Sequence, residues 1–393
     1  MLTIKKYIIS YSYSHIHSSA GTRVRLLNSK YLKNNNWNIV TSRLSTISED
    51  NVIVIPSLVD KLFKPISYKN TESKRTLKKI FNNLLWPDRG IFWSIKVIIY
   101  FVGKLLFEKE KIRIVGVGYP FSSILCSAII KSFFKNKVHF TAHFIDGFYL
   151  TSKDSSNILR RKINYLTEKF VLKNSDHAIV CEDKIKEFKK CFNQFVNKTT
   201  FVPTMIGIDT DLRSFNSPYN NNKHDYHFFG GSLYRKIRNP EKVIEIYKHL
   251  QNTIFTIAGN LNDCSSMVKS SGHLEYVGNL SQENLINYIQ HSNILINIDN
   301  QTSIEQSPGK IVEYMAFQKP IINYYKNSSL SKSILEKYDL CKASLSIDIE
   351  EPIDTNLEKI NNFIKSTQNL NGRLYSTPDT LELTYNLYNR DTN

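Results

Sequence analysis

Residues 303–322 read SIEQSPGKIVEYMAFQKPII. Ile311, Val312, Met315 and Ala316 fall on one face at about 100° per residue, so the spacing predicts a short helix over 308–317 with that face in the core. Ser307 suits the N-cap and Pro308 the first helical position, while Lys319-Pro320 stops the helix before an IINYY strand. Two features do not belong to an ordinary surface helix. Lys310 sits in the first turn, where the helix dipole disfavours a cation unless an anion is close. Glu305 and Glu313, eight positions apart, bracket that turn. A Lys310–Glu313 pair on the face opposite the core would contribute only about 0.2–0.5 kcal/mol, too little to explain the arrangement.

Strand–helix alternation continues outward from this stretch. In the second half, 226–229, 254–258, 274–277, 294–298 and 320–325 read as strands, with helices at 240–251, 282–291 and 308–317. In the first half the strand candidates are 3–9, 38–41, 112–117, 138–142 and 177–180. An amphipathic stretch at 23–33 has Val24, Leu27 and Tyr31 at helical spacing. This rhythm predicts an α/β fold of parallel sheets with helices on both faces. A chain of 393 residues exceeds one ordinary core. The polar, Asn-rich run 217–225 marks the neighbourhood of a boundary, giving Rossmann-like domains over 1–205 and 206–377. A last helix at 378–390 is expected to pack back on the first domain. Paired sheets of this kind would face a cleft and bind ligands beyond their strand carboxyl ends.

Five cysteines are scattered without C-x-x-C spacing, which argues against a metal cluster or a disulfide framework and for a reducing compartment. The opening MLTIKKYIISYSYS holds no long apolar run and reads as a strand, not a leader. The net charge of +17 would attract polyanions such as nucleic acid, an anionic membrane surface or phosphorylated substrates, although an AT-rich genome would produce a similar Lys-, Asn- and Ile-rich bias. Residues 91–107, IFWSIKVIIYFVGKLLF, carry Lys96 and Lys104 and are shorter than the roughly 20 apolar residues of a bilayer span. They read either as a half-buried helix or as an interfacial one, with Lys74, Arg75, Lys78 and Lys79 nearby to meet anionic lipid.

Two further loops could cradle phosphate. Gly21 follows the first strand, where its missing side chain would let the backbone approach a ligand. In FFGGSLYRKIRNPEKV (228–243), Gly230-Gly231 ends a strand and Arg235, Lys236 and Arg238 crowd ahead of a helix near Pro240. Three cations there repel one another and oppose the helix dipole unless an anion sits among them.

With these residues in view, E305-QSPGKIV-E313-YMAFQKPII resembles the E-x7-E signature of retaining GT-B glycosyltransferases, in particular glycosyltransferase family 4 and its bacterial surface-polysaccharide subgroup. Gln318 stands where that pattern usually has glycine. GGSLYRKIRNPEKVIEIY resembles the family's strand–glycine–basic loop–helix segment, and VPTMIGIDTDLRSF its interdomain link, with Gly207 and Asp209 matching. HLEYVGNLSQENLINYIQHSNILINI is similar to a further C-terminal segment, whereas WPDRGIFW, YPFSSILC and HFTAHFIDGFY match the N-terminal half more loosely.

The resemblance implies transfer of a sugar from a nucleotide-sugar donor with retention of configuration and without a metal or other cofactor. Glu305 would bind sugar hydroxyls and Glu313 the ribose. Lys310, with the Gly309–Lys310 amides and Gly231, would lie near the diphosphate. Arg235, Lys236 or Arg238 would stabilise charge on the leaving diphosphate. His143 would stand near the transferred sugar, unless it is a hydrogen-bonded core histidine. Gly21 would lie close to the donor phosphates, with His17, Arg23 and Asp146 on the acceptor side and His15 a weaker candidate. Asp209-Thr210-Asp211 reads as link, not metal ligand. The implied acceptor is an undecaprenyl-diphosphate-linked glycan at the cytoplasmic face of an anionic membrane, in capsule, O-antigen or exopolysaccharide synthesis. Two rivals are a nucleotide-sugar epimerase of the same fold and a non-enzymatic polyanion binder. No RRM-like, zinc-finger or helix-turn-helix signature supports a nucleic-acid partner.

Overall fold

A computed structural model describes residues 4–13, 19–42, 49–57, 86–88, 90–107, 110–118, 120–145, 147–151, 158–202, 225–301, 309–368, 370, 372–376 and 380–390. The first sheet comprises β1 (Lys5–Ile9), β2 (Trp37–Thr41), β3 (Val52–Val54), β4 (Ile112–Val117), β5 (Val138–Phe144), β6 (His177–Cys181) and β7 (Thr199–Val202). They pair in the order β3-β2-β1-β4-β5-β6-β7, every pair parallel. The second sheet comprises β8 (Asp225–Gly230), β9 (Thr253–Ala258), β10 (Leu274–Gly278), β11 (Ile294–Ile298), β12 (Ile321–Tyr325) and β13 (Ser344–Asp348). Its order is β10-β9-β8-β11-β12-β13, again all parallel.

Each chain path winds outward from one strand, then returns and winds the other way. The reversal falls between β1 and β4 in one sheet and between β8 and β11 in the other. Crevices at such reversals, beyond the strand carboxyl ends, are where open parallel sheets take ligands. The central strands are buried on both faces, which is why β4 reads IRIVGV and β11 ILINI as near-continuous apolar runs.

Contacts divide the chain into two compact units, Met1–Gly207 with Thr380–Asn393, and Ile208–Asp379. In the first unit the Ile91–Phe107, Ser122–Phe133 and Ile158–Asn174 helices contribute Trp93, Ile124 and Val171 to one core beneath the sheet. Val24, Trp37, Leu387 and Tyr388 pack in a second core. The Thr380–Asn389 helix thus belongs to the first unit: Tyr388 Oη lies 2.8 Å from His143 Nδ1, and Arg113 Nη1 donates to Tyr388 O at 3.1 Å.

Local structure corrects the expectation for Gly21. The helix begins at Ser19 and runs to Leu27, so this buried glycine is a first-turn helical position and not a loop residue. Burial of Val24 and Leu27 fixes where the helix lies, and its first turn takes up the glycine. Among the described residues no helix is long and apolar enough to cross a membrane.

Candidate functional site

The site is built where β8 ends. Gly231 N donates to Ala258 O at 2.8 Å, bringing the chain against the turn after β9. There Gly259 has φ +115, and a Cβ on it would stand 2.1 Å from Gly231 O, so only glycine fits. A Cβ on Gly231 would stand 1.9 Å from Lys310 Nζ. Both glycines therefore exist to let backbone meet backbone and a lysine at one point.

That lysine comes from the Gly309–Ala316 helix, which has Ile311, Val312 and Met315 in the core as the periodicity predicts. Its Nζ donates to Gly230 O and lies 5.3 Å from the centroid of the Phe229 ring. Tyr314, four positions on, accepts from Gly230 N through its hydroxyl at 3.0 Å. Lys310 is therefore drawn inward, not left in a surface ion pair. Burial pushes its pKa down to about 8, with the charge of Arg238 acting in the same direction and that of Glu313 against it. Glu313 is half-buried on the same helix.

Arg238 closes a tight turn in which its N–H donates to Tyr234 O at 2.8 Å. The turn is tied to the segment after β11 by Gln301, whose N donates to Ile237 O at 2.7 Å and whose Nε2 donates to Asn239 O at 2.9 Å. Burial works against the Arg238 charge, while Asp299, Tyr234 and Tyr314 favour it. Asp299, 4% exposed, accepts from Ser329 Oγ at 2.5 Å and Ser331 Oγ at 2.7 Å. Burial raises its carboxyl above the ordinary range, and the two hydroxyls and Arg238 oppose that rise. Ser329 also caps the Leu330–Tyr338 helix by accepting from Lys332 N at 2.9 Å.

Of the three cations expected here, Arg238 is the one whose charge reaches Lys310 and Asp299. Arg235 is exposed and held elsewhere, its N donating to Asp263 Oδ1 at 3.0 Å and its Nε to Asp263 O at 3.2 Å. Lys236 is exposed. Gln318 adopts φ +54, the left-handed region that explains glycine in the resembling pattern. Its side chain compensates: Oε1 accepts from Leu374 N at 2.8 Å and Tyr375 N at 2.9 Å, and Nε2 donates to Met315 O at 2.9 Å.

In the first unit, His143 is fully buried against Tyr388. A ring with no exposed surface does not touch a sugar in this conformation. Arg23 is also buried. His15, His17, Asp146, Asp209-Thr210-Asp211, Lys74, Arg75, Lys78, Lys79, Glu305, Ser307 and Pro308 lie outside the described residues. Sequence reasoning missed Gly259, Asp299, Tyr314, Ser329 and Ser331. The one signal for Asp299 was an aspartate directly after the apolar ILINI run.

Taken together, two half-buried cations, a buried carboxylate and two glycines at a strand reversal can receive a doubly charged anion such as a diphosphate. No protein-family model matches the chain, and no curated protein matches it by sequence. Solved structures do match its fold. The catalytic domain of starch synthase IV from Arabidopsis thaliana, bound to ADP and acarbose, aligns with TM-score 0.60 at 11% identity over 98% of each chain. Anabaena HepE in complex with UDP aligns with TM-score 0.57 at 13% identity, over 98% of this chain and 99% of that one. A putative UDP-N-acetylglucosamine 2-epimerase from Listeria monocytogenes aligns with TM-score 0.55 at 9% identity, over 98% and 94%. At such identities the likeness speaks for the fold: the chain has the two-sheet, Rossmann-like α/β architecture of GT-B proteins.

Proposed function

We propose that the chain is a retaining glycosyltransferase that moves a sugar from a nucleotide-sugar donor to a lipid-linked glycan. The observation that carries the reading is Lys310 Nζ seated on Gly230 O beside the Gly231–Gly259 backbone contact at the end of β8, where the charge of Arg238 is also felt. Two like charges near one another and partly desolvated favour a bound anion beside them, in addition to the support that Asp299 gives Arg238 and Glu313 gives Lys310. UDP in HepE and ADP in the starch synthase are consistent with a nucleoside diphosphate as that anion.

In this reading the diphosphate lies between Lys310 and Arg238. As the bond from the anomeric carbon to the phosphate oxygen breaks, its electron pair stays on phosphate, and the growing charge meets cations already in place. The Asp299 carboxylate favours the charge on Arg238. Glu313 accepts from the ribose hydroxyls and Glu305 from those of the sugar. The acceptor hydroxyl attacks the same face and passes its proton to the departing phosphate oxygen. These cations supply the neutralisation that a divalent ion provides elsewhere, so turnover is expected to persist in excess EDTA. The acceptor reading, an undecaprenyl-diphosphate-linked glycan at the inner face of the cell membrane, rests on the family resemblance and on the basic, apolar first unit.

A panel of UDP-, GDP- and dTDP-sugars tests the donor by thermal shift, since a ligand at 100-fold its Kd adds about 2.7 kcal/mol of stability. Labelled donor then separates the two enzyme readings. Sugar transfer or donor hydrolysis supports the transferase; an epimerised, otherwise intact donor favours the epimerase, whose fold is also among the neighbours. No shift with any nucleotide-sugar sinks both.

A further inference from the structure

The Ile158–Asn174 helix of the first unit turns polar side chains inward: Asn164, Thr167 and Glu168 are buried beside Val171 and Leu172. Asn164 Oδ1 accepts from Trp86 Nε1 at 3.1 Å. One turn on, Glu168 Oε2 accepts from Tyr149 N at 2.5 Å, and the Phe148 amide also favours its charge. Burial pushes the Glu168 carboxyl up to about 7, and among the described residues only those two amides oppose the rise. A buried carboxylate with no cation beside it costs free energy that an apolar residue at this position would avoid. Groups perturbed in this way gather at functional sites. What Asn164 and Glu168 secure is the placement of two rings from distant parts of the chain, Trp86 and Phe148.

Phe148 stacks on Phe121 with ring centroids 4.2 Å apart, and Trp86 meets Phe148 at 6.4 Å and 60°. Phe121 and Phe144 are buried in the core, whereas Trp86 and Phe148 are only half-buried. Both half-buried rings belong to segments beyond strand carboxyl ends. Phe148 follows β5, and Asp88 ties the Trp86 segment to the helix that follows β4 by accepting from Ser122 N at 2.9 Å. β4 borders the reversal of the first sheet, beside which open parallel sheets take ligands.

We propose that Trp86 and Phe148 form an aromatic shelf for one pyranose ring of the acceptor, with Asn164 and Glu168 as the positioning residues that hold it. The proposal deepens the reading of the acceptor as a glycan and rests on that reading for its purpose. Trp86 spends its only polar atom on Asn164, so the shelf offers π faces and no donor. Those faces are electron-rich, and the C–H face of a pyranose, polarised positive by its ring oxygen and hydroxyls, is their complement. The charged group nearest Trp86 in sequence is the Asp88 carboxylate, in contrast to the cations at the end of β8, so this rim suits a neutral ring and not a phosphate.

Tryptophan fluorescence of the full chain tests the shelf before any acceptor is known. Trp37 and Trp93 are fully buried, so quenching by acrylamide reports on half-buried Trp86. The probes are the methyl pyranosides of glucose, galactose, mannose and N-acetylglucosamine, with cyclohexanol as an apolar ring without the hydroxyl rim. At least one pyranoside should protect Trp86 saturably, lowering the quenching about twofold, and cyclohexanol should not. Phe148→Ala should weaken that pyranoside about tenfold. Glu168→Gln keeps the shape but sets an amide N–H against a backbone N–H, and should also weaken the pyranoside about tenfold. The thermal shift with nucleotide-sugar should stay at the wild-type value in Glu168→Gln, a split between ligands that a general loss of packing would not give. No protection by any pyranoside, equal protection by cyclohexanol, or wild-type pyranoside affinity in both variants overturns the proposal. Pyranoside protection in a protein that takes no nucleotide-sugar sinks the transferase reading and leaves the shelf standing; sugar transfer without pyranoside protection does the reverse.

Discussion

The Ser122–Phe133 helix follows β4 and the Gly309–Ala316 helix follows β11, so each opens just beyond the reversal of its own sheet. They meet the same electrostatic problem in opposite ways. The first is answered from within: Asp88 accepts from Ser122 N at 2.9 Å, from Ser122 Oγ at 2.5 Å and from Gly90 N at 2.7 Å. The second has no acid in its first turn and adds Lys310, with Arg238 close enough to lower its pKa. One helix start carries its own counter-ion. The other, among the described residues, gathers two cations near its first turn, with Asp299 and Glu313 acting on them, and in the proposed reading it takes its anion from a bound ligand.

The hardest test of that contrast is Arg238→Ala, which should reduce turnover roughly 100-fold or more while far-ultraviolet circular dichroism stays native. Wild-type turnover in the variant would remove the diphosphate assignment, and wild-type turnover in Glu313→Ala the ribose assignment. Next come the two glycines. Gly231→Ala collides first with the far end of Lys310, so nucleotide affinity should fall about tenfold or more in a folded protein. Gly259→Ala meets backbone at a positive φ, so it should destabilise the protein by about 3 kcal/mol or more in chemical denaturation. If the two variants behave alike, Lys310 is not what Gly231 accommodates.

A third test uses protons. Lys310 has a folded pKa of about 8, depressed from 10.5. The unfolded chain therefore holds more protons between those values, and stability of the unliganded protein should rise with pH through that window. A bound diphosphate favours the charged amine, so nucleotide binding at pH 8 should take up about half a proton, read by calorimetry in buffers of differing ionisation enthalpy. Lys310→Met should abolish the uptake. The smallest effect belongs to the other helix: Asp88→Asn should cost about 1 kcal/mol in denaturant titration and leave nucleotide binding untouched.

The central strands were legible because both faces are covered, leaving long apolar runs such as IRIVGV and ILINI. The strands that reading missed, β3, β7 and β13, all lie at sheet edges and carry short or polar-mixed segments such as VIV, TTFV and SLSID. At the site, the Lys310–Glu313 spacing and Gly230-Gly231 were readable, whereas Gly259 was not. The choice of Arg238 over Arg235 was not, because it depends on Asp263 holding Arg235 from another loop. Asp299 was equally hidden, since its partners Ser329 and Ser331 arrive thirty or more residues later, across β12.

The return of Thr380–Asn389 to the first unit sets an order of assembly during synthesis. Tyr388 closes on Trp37 and His143, residues made near the start, yet it leaves the ribosome only after the entire second unit. The first unit is thus made early but completed last. A nascent chain stalled before residue 380 would carry a finished second sheet beside a first one still open on its Trp37 face.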